Sequence, residues 1–178
     1  MEATLTLQYA NEDDRAYGLA GMAISAAALD ALDSIAYVTL DAPADEPMVS
    51  FSHSYYYAGA PSLSPKTTWD HLMRNFHLTS AMALSNIYAR ALVRRHAEVP
   101  DDVLASIHDT ILAEAADSCS LEADEAEELY GKLVRYTRNI FANPRLHPAI
   151  DSFARVISLR RVLSGREIAD ELALLQLL

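Results

Sequence analysis

Between Lys66 and Ala97 the chain runs for more than thirty residues without a glycine or a proline: KTTWDHLMRNFHLTSAMALSNIYARALVRRHA. Trp69, Leu72, Met73, Phe76, Ala83, Ile87 and Ala91 recur at helical spacing, and Leu78, Ala81, Met82, Ala89 and Leu92 form an adjoining line. A helix apolar over so much of its girth has to be surrounded by other helices. The spacing therefore predicts the central rod of a helical bundle. Ser64-Pro65 reads as its N-cap and first helical position. Arg90, Arg94, Arg95 and His96 stand at its far end, where cations complement the exposed carbonyls.

The flanking segments predict further helices. Asn11 is an N-cap, followed by Glu12, Asp13 and Asp14 where the helix dipole favours negative charge. The helix that follows is rich in small residues, among them Gly18 and Gly21, which suits close approach to a neighbouring helix. A hairpin is expected over residues 35–57, with one arm near Ile35–Leu40 and the other near Val49–Tyr57, where Val49, Phe51, His53, Tyr55 and Tyr57 alternate with serines. Beyond the rod, helices are expected from Asp101 to about Ser118, from Ser120 through an acidic and then basic stretch, and from Pro148 to Leu163. Ser164 and Glu167 have capping-box spacing and open a last short helix. The expected fold is mainly α: a single domain over residues 1–178, a bundle of about six helices with a small hairpin as a flap.

At 178 residues the chain can bury a core without staples, and Cys119, the only cysteine, leaves no intrachain disulfide. A net charge of −11 repels phosphate backbones and anionic lipid head groups, so neither nucleic acid nor a membrane is expected as a partner. The acidic start MEATLTLQYANEDDR is unlike a signal peptide, and the apolar run from Leu19 to Leu32 is interrupted by Asp30. A cytoplasmic location is expected.

Chemical motifs are sparse. His108-Asp109 lies inside the helical stretch ASIHDTILAEAAD, and His77, His108, Asp109 and Asp151 follow one another along the chain. That order resembles the His, His-Asp and Asp series of HD-superfamily phosphohydrolases, all-helical enzymes whose ligands converge on a divalent metal. The resemblance implies an alternative function, metal-dependent phosphoryl hydrolysis, with those four residues as ligands and the metal lowering the pKa of bound water. His71 and His77, six apart, cannot share one helical face, and Asp70, Arg74 and His77 read as a surface ion-pair array. Acidic neighbours disfavour a thiolate at Cys119. No glycine-rich phosphate loop or Gly-x-Ser-x-Gly elbow is present.

The principal expectation is thus a non-catalytic helical protein without a cofactor, acting through self-association or by binding another protein. The leucine-rich end supplies the surface: Ile168, Leu172 and Leu175 serve the bundle, while Leu174, Leu177 and Leu178 fall on other faces. The tyrosines of Phe51 to Tyr57 suit a binding rim or a subunit interface, with two packed and one wet.

Overall fold

Caps and breakers in the sequence set most of the helix boundaries. The computed structural model describes residues 5–43, 46–57 and 64–177. Asn11 caps α1 (Glu12–Ala28), its side chain accepting from the Asp14 N–H. A 3-10 turn (Leu32–Ser34) leads into β1 (Ile35–Thr39), and β2 (Val49–Phe51) follows. A single helical turn, α2 (His53–Tyr56), precedes the rod, α3 (Pro65–Tyr88), which Ser64 caps through the Thr67 N–H. The rod continues as a π-helical segment (Ala89–Arg94). Then come α4 (Asp101–Cys119), α5 (Ala123–Phe141), α6 (His147–Arg160), β3 (Val162–Ser164) and α7 (Gly165–Leu174). The fold is mainly α, with seven helices among the described residues and one small antiparallel sheet.

The rod is surrounded over its second half. Phe76, Leu78, Ala81, Met82, Leu84, Ile87, Tyr88, Ala89 and Ala91 are all buried, and α1, α4 and α5 pack on it. Its first turns emerge from the bundle, so Trp69, placed by its spacing in the buried stripe, is 41% exposed. α1 crosses α3 at close range. A Cβ on Gly21 would lie 2.2 Å from the Ser85 carbonyl oxygen, and one on Gly18 2.6 Å from Asn86 Nδ2. These two glycines let the backbones approach to a distance no alanine allows.

The hairpin differs from its expected form in two ways. Its second arm ends at Phe51, and His53–Tyr56 turn into a helix rather than alternating as a strand. Ser52 donates to the Asp33 carbonyl and its N–H bonds Ser34, which folds the chain back against the 3-10 turn. A third strand extends the expected hairpin: β3 pairs antiparallel with β1 on the side away from β2, in the register Tyr37↔Ser164, Val38↔Leu163, Thr39↔Val162. Val38, Val49 and Leu163 are buried, with α7 and α6 packed on this sheet. Arg161, at φ 64°, makes the sharp turn from α6 into β3 and anchors it to Glu12 and Asp41.

At the helix ends one expectation fails and one is met. Ser120 closes α4 in the left-handed conformation (φ 52°) rather than opening α5, whose first turn is held by the Glu122 N–H on the Glu125 carboxylate. The expected capping box at Ser164 and Glu167 is formed, with the Ser164 N–H donating to Glu167 at 2.8 Å. No helix among the described residues is long and apolar enough to cross a membrane.

Candidate functional site

A wide cleft lies beside the rod. Its volume is about 940 Å³, and it is bounded by the N-terminal segment at Leu7–Tyr9, by α1 through Arg15 and Met22, and by the chain from Glu46 to Phe51. Thr79, Met82, Ala83, Asn86 and Ile87 of α3, with Ile107 of α4, complete its lining. Along residues 80–91 of the rod every position is buried except Ala83, which is exposed because it faces this cleft. Met22, Met48, Met82, Val49, Phe51 and Ile87 make the lining predominantly apolar, the usual character of a small-molecule site.

A fixed polar cluster stands at one end. Asp14 and Arg90 are both fully buried, and Arg90 Nη2 and Nε reach Asp14 Oδ2 at 2.6 and 3.0 Å. Arg90 also donates to the Gln8 carbonyl at 2.7 Å, and its guanidinium lies 4.6 Å from the centre of the Tyr9 ring. The π-helical segment explains the convergence: i→i+5 bonding turns residues four and five apart to one side. Arg94 and Arg95 thereby join Arg90 around Asp14, at 3.4 and 3.5 Å from Oδ1. Burial pushes the Asp14 carboxyl up, but the bonds from Arg90 and the Ala10 N–H, with the charges of Arg90 and Arg95, outweigh it and hold the pKa below its ordinary value. Asn86 links this cluster to the cleft, donating from Nδ2 to the Tyr9 hydroxyl at 2.7 Å. Burial raises the Tyr9 pKa, although the Asn86 bond and the Arg90 charge oppose it, so the phenol stays protonated.

Arg15 is the cation of the cleft wall. It is half-buried and donates to the Ala42 carbonyl at 2.7 Å and towards the Met48 sulfur at 3.4 Å. The nearby carboxylates are engaged elsewhere, Glu12 and Asp41 by Arg161 and Asp14 by Arg90, Arg94 and Arg95.

The metal-ligand series lies in other places. His77, on α3, borders a small pocket of about 350 Å³ with Leu29, Ala31, Asp70 and Arg74, and its Nε2 is buried without a hydrogen-bond partner among the described residues. Burial lowers its pKa. His108, on α4, sits between Glu127 of α5 at 2.9 Å and its neighbour Asp109 at 3.1 Å, which together raise its pKa. Asp151, on α6, accepts from the Tyr17 hydroxyl at 2.8 Å; burial and this bond push Tyr17 up to about 12. Among the described residues no group of three or more His, Cys, Asp and Glu is gathered closely enough to hold a metal. Of the four residues, the structure brings together only the chain neighbours His108 and Asp109. Arg74 pairs with Asp33 at 3.2 Å across the surface, and His71 Nε2 lies 2.8 Å from the Tyr55 carbonyl. Cys119 is buried, and burial with the Glu114 charge raises its pKa, which disfavours the thiolate.

The aromatic segment splits by its helical turn. Tyr55 stacks on Phe51 with ring centres 3.9 Å apart, while Tyr56 and Tyr57 are 64% and 63% exposed, so one tyrosine packs and two are wet. At the C-terminus Ile168 and Leu172 are buried, and Leu175 and Leu177 pack partly on the core. Leu174 is 78% exposed, as is Leu159 of α6 at 83%; Leu178 lies outside the described residues.

Asp14, Tyr9, Arg15 and Asn86 were not legible as site residues. Asp14 reads as an ordinary first-turn carboxylate and Arg90 as a last-turn cation. One signal was available: an arginine at a position flanked by Ala89 and Ala91, inside the apolar girth of the rod, requires a buried partner. In comparisons with known proteins, no family model matches the chain and no curated protein matches it closely enough to show kinship.

Proposed function

We propose that this chain is a non-catalytic binding protein of the cytoplasm and that its working site is the cleft beside the rod, which takes a small, largely apolar ligand. The observation that carries this is Ala83, exposed on an otherwise buried stretch of the central helix where it walls a cleft of about 940 Å³. That volume lies at the upper end of the range of ligand sites, about 300–1,000 Å³. Among the described lining residues there is no His, Cys or Ser, and the Thr79 hydroxyl is committed to the Asn75 carbonyl at 3.0 Å. Those residues supply shape and hydrogen bonds rather than a nucleophile with its base. An environment-sensitive dye such as 8-anilinonaphthalene-1-sulfonate tests the site directly. Saturable binding of one dye per chain, lost in Ala83→Phe with the circular dichroism spectrum retained, is expected. Dye binding that Ala83→Phe leaves intact overturns the assignment of the cleft.

Self-association is the second use of the surface. It is favoured by Leu174 and Leu159, large apolar side chains 78% and 83% exposed on the last two helices. Each is worth about 1.5–3 kcal/mol on full burial, before the entropy of association is subtracted. Light scattering at tens of micromolar is expected to show a dimer that Leu174→Glu dissociates. A monomeric wild-type chain refutes it.

A further inference from the structure

We propose that the cleft recognises a carboxylate at the head of a flexible apolar chain, with Arg15 and the Tyr9 hydroxyl as the two donors that hold the head. The inference rests on the proposed function above and adds the chemical class of the ligand.

Arg15 is a guanidinium set in an apolar wall whose hydrogen bonds go to a neutral carbonyl and a thioether sulfur. Its Nη1 has no partner among the described residues, and no carboxylate among them forms an ion pair with it. Two carboxylates whose charge reaches it, those of Glu12 and Asp41, are held in ion pairs by Arg161. Asp14 is enclosed by three arginines. Among the described residues Glu12 and Asp41 act on this half-buried guanidinium only from beyond ion-pair distance, so its desolvation is only partly offset and a close counter-charge is missing. An anionic ligand supplies it.

Tyr9 adds a second donor in the same lining. Its oxygen accepts from Asn86 at 2.7 Å, which fixes the ring and leaves the phenolic proton to donate into the cleft. The absence of a Cβ at Gly18 makes the room for this arrangement, since one there would lie 2.6 Å from Asn86 Nδ2 and 2.9 Å from the Tyr9 ring. Both donors belong to one lining, a carboxylate has an oxygen to offer each, and charge-assisted bonds of this kind are the strong ones. Among the described lining residues the opposite charge is Glu46, which is exposed, whereas Arg15 is half-buried; the better-desolvated charge dominates the field inside the cleft. Beyond the donors, Met22, Met48, Met82 and Phe51 offer adaptable side chains suited to a flexible alkyl chain rather than to a rigid ring system.

Isothermal titration calorimetry with decanoate, decanol and decylammonium, on the full chain at neutral pH, tests this. Decanoate is expected to bind with one site per chain, and decanol and decylammonium about tenfold weaker or less. Arg15→Gln is expected to bring decanoate down to the level of decanol while leaving decanol binding unchanged. Decanoate and decanol binding the wild type equally well, or decylammonium binding best, overturns the carboxylate inference and leaves the cleft as a binding site. Binding of none of the three, with the dye also failing, overturns the cleft itself. The comparison of the three heads on the wild type needs no variant, so it decides the matter even if Arg15→Gln does not fold.

Discussion

Replacing Asp14 by asparagine is expected to be among the most damaging single-atom changes in the molecule. The carboxylate is fully buried and receives two bonds from Arg90 at 2.6 and 3.0 Å and one from the Ala10 N–H at 3.0 Å, with Arg94 and Arg95 within 3.5 Å. Asparagine keeps the shape and removes the charge, leaving the buried Arg90 with only neutral partners: the Gln8 carbonyl, the Asn86 Oδ1 at 3.5 Å and the face of Tyr9 among the described residues. Removing one partner of a buried pair costs about 3–5 kcal/mol, most of it the stranded charge. For a chain of this length that is a fall of about 6–20 °C in Tm. Urea unfolding followed by circular dichroism measures it, with Asp13→Asn as the control. Asp13 meets Arg94 at 2.6 Å but is 60% exposed, and solvent screening limits its effect to less than about 1 kcal/mol. The pH dependence has a definite sign. The folded pKa of Asp14 is depressed, so its contribution is present above its unfolded value near 3.8 and is lost as pH falls through the folded value. Asp14→Asn should therefore flatten the acid limb of the stability curve below about pH 4. A loss under about 1 kcal/mol, or an unchanged acid limb, would refute the view that this pair locks α1 to the rod.

Other perturbations separate close packing from open surface. Gly21→Ala drives a Cβ against the Ser85 backbone and should cost about 1–3 kcal/mol, whereas Gly131→Ala meets nothing within 4 Å and should gain about 1 kcal/mol from helix propensity; equal effects in urea would contradict the crossing geometry. His77 is held neutral by burial, its folded pKa below the ordinary 6.5, so its contribution is whole above about pH 6.5 and declines as pH drops through the folded value. Changing His77 to leucine should shrink the difference in urea midpoint between about pH 7.5 and about pH 5, and an undiminished difference would remove His77 as its source. His108 has the opposite sign: its pKa is raised by Glu127 and Asp109, so its contribution is lost as pH rises through the folded value. Glu127→Gln should lower the pKa of His108 in an NMR titration, and no change would show that the bond is not kept in solution.

How far the chain could be read in advance depended on the range of the interactions. Capping and periodicity act over a few residues, and so Asn11, Ser64-Pro65 and the Ser164–Glu167 box mark helix starts that the structure reproduces. The rod, too, is visible from its own residues, because burial on all sides demands apolar residues on all sides. What tertiary structure decided are the pairings between distant segments. β3 is three residues long, too short to show a period, and exists only because β1 offers it an edge more than 120 residues earlier in the chain. The turn at His53–Tyr56 overrides an alternating pattern because Ser52 is tied to the chain at Asp33 and Ser34. The site was least legible of all. Asp14 and Arg90 each have a sufficient local explanation at a helix end, and their common burial depends on two glycines that let α1 and α3 meet and on a π-helical segment that turns three arginines one way. A local code specifies where helices begin and which face is apolar; which buried charges meet is set by the crossing of helices, and that is a property of the packed chain.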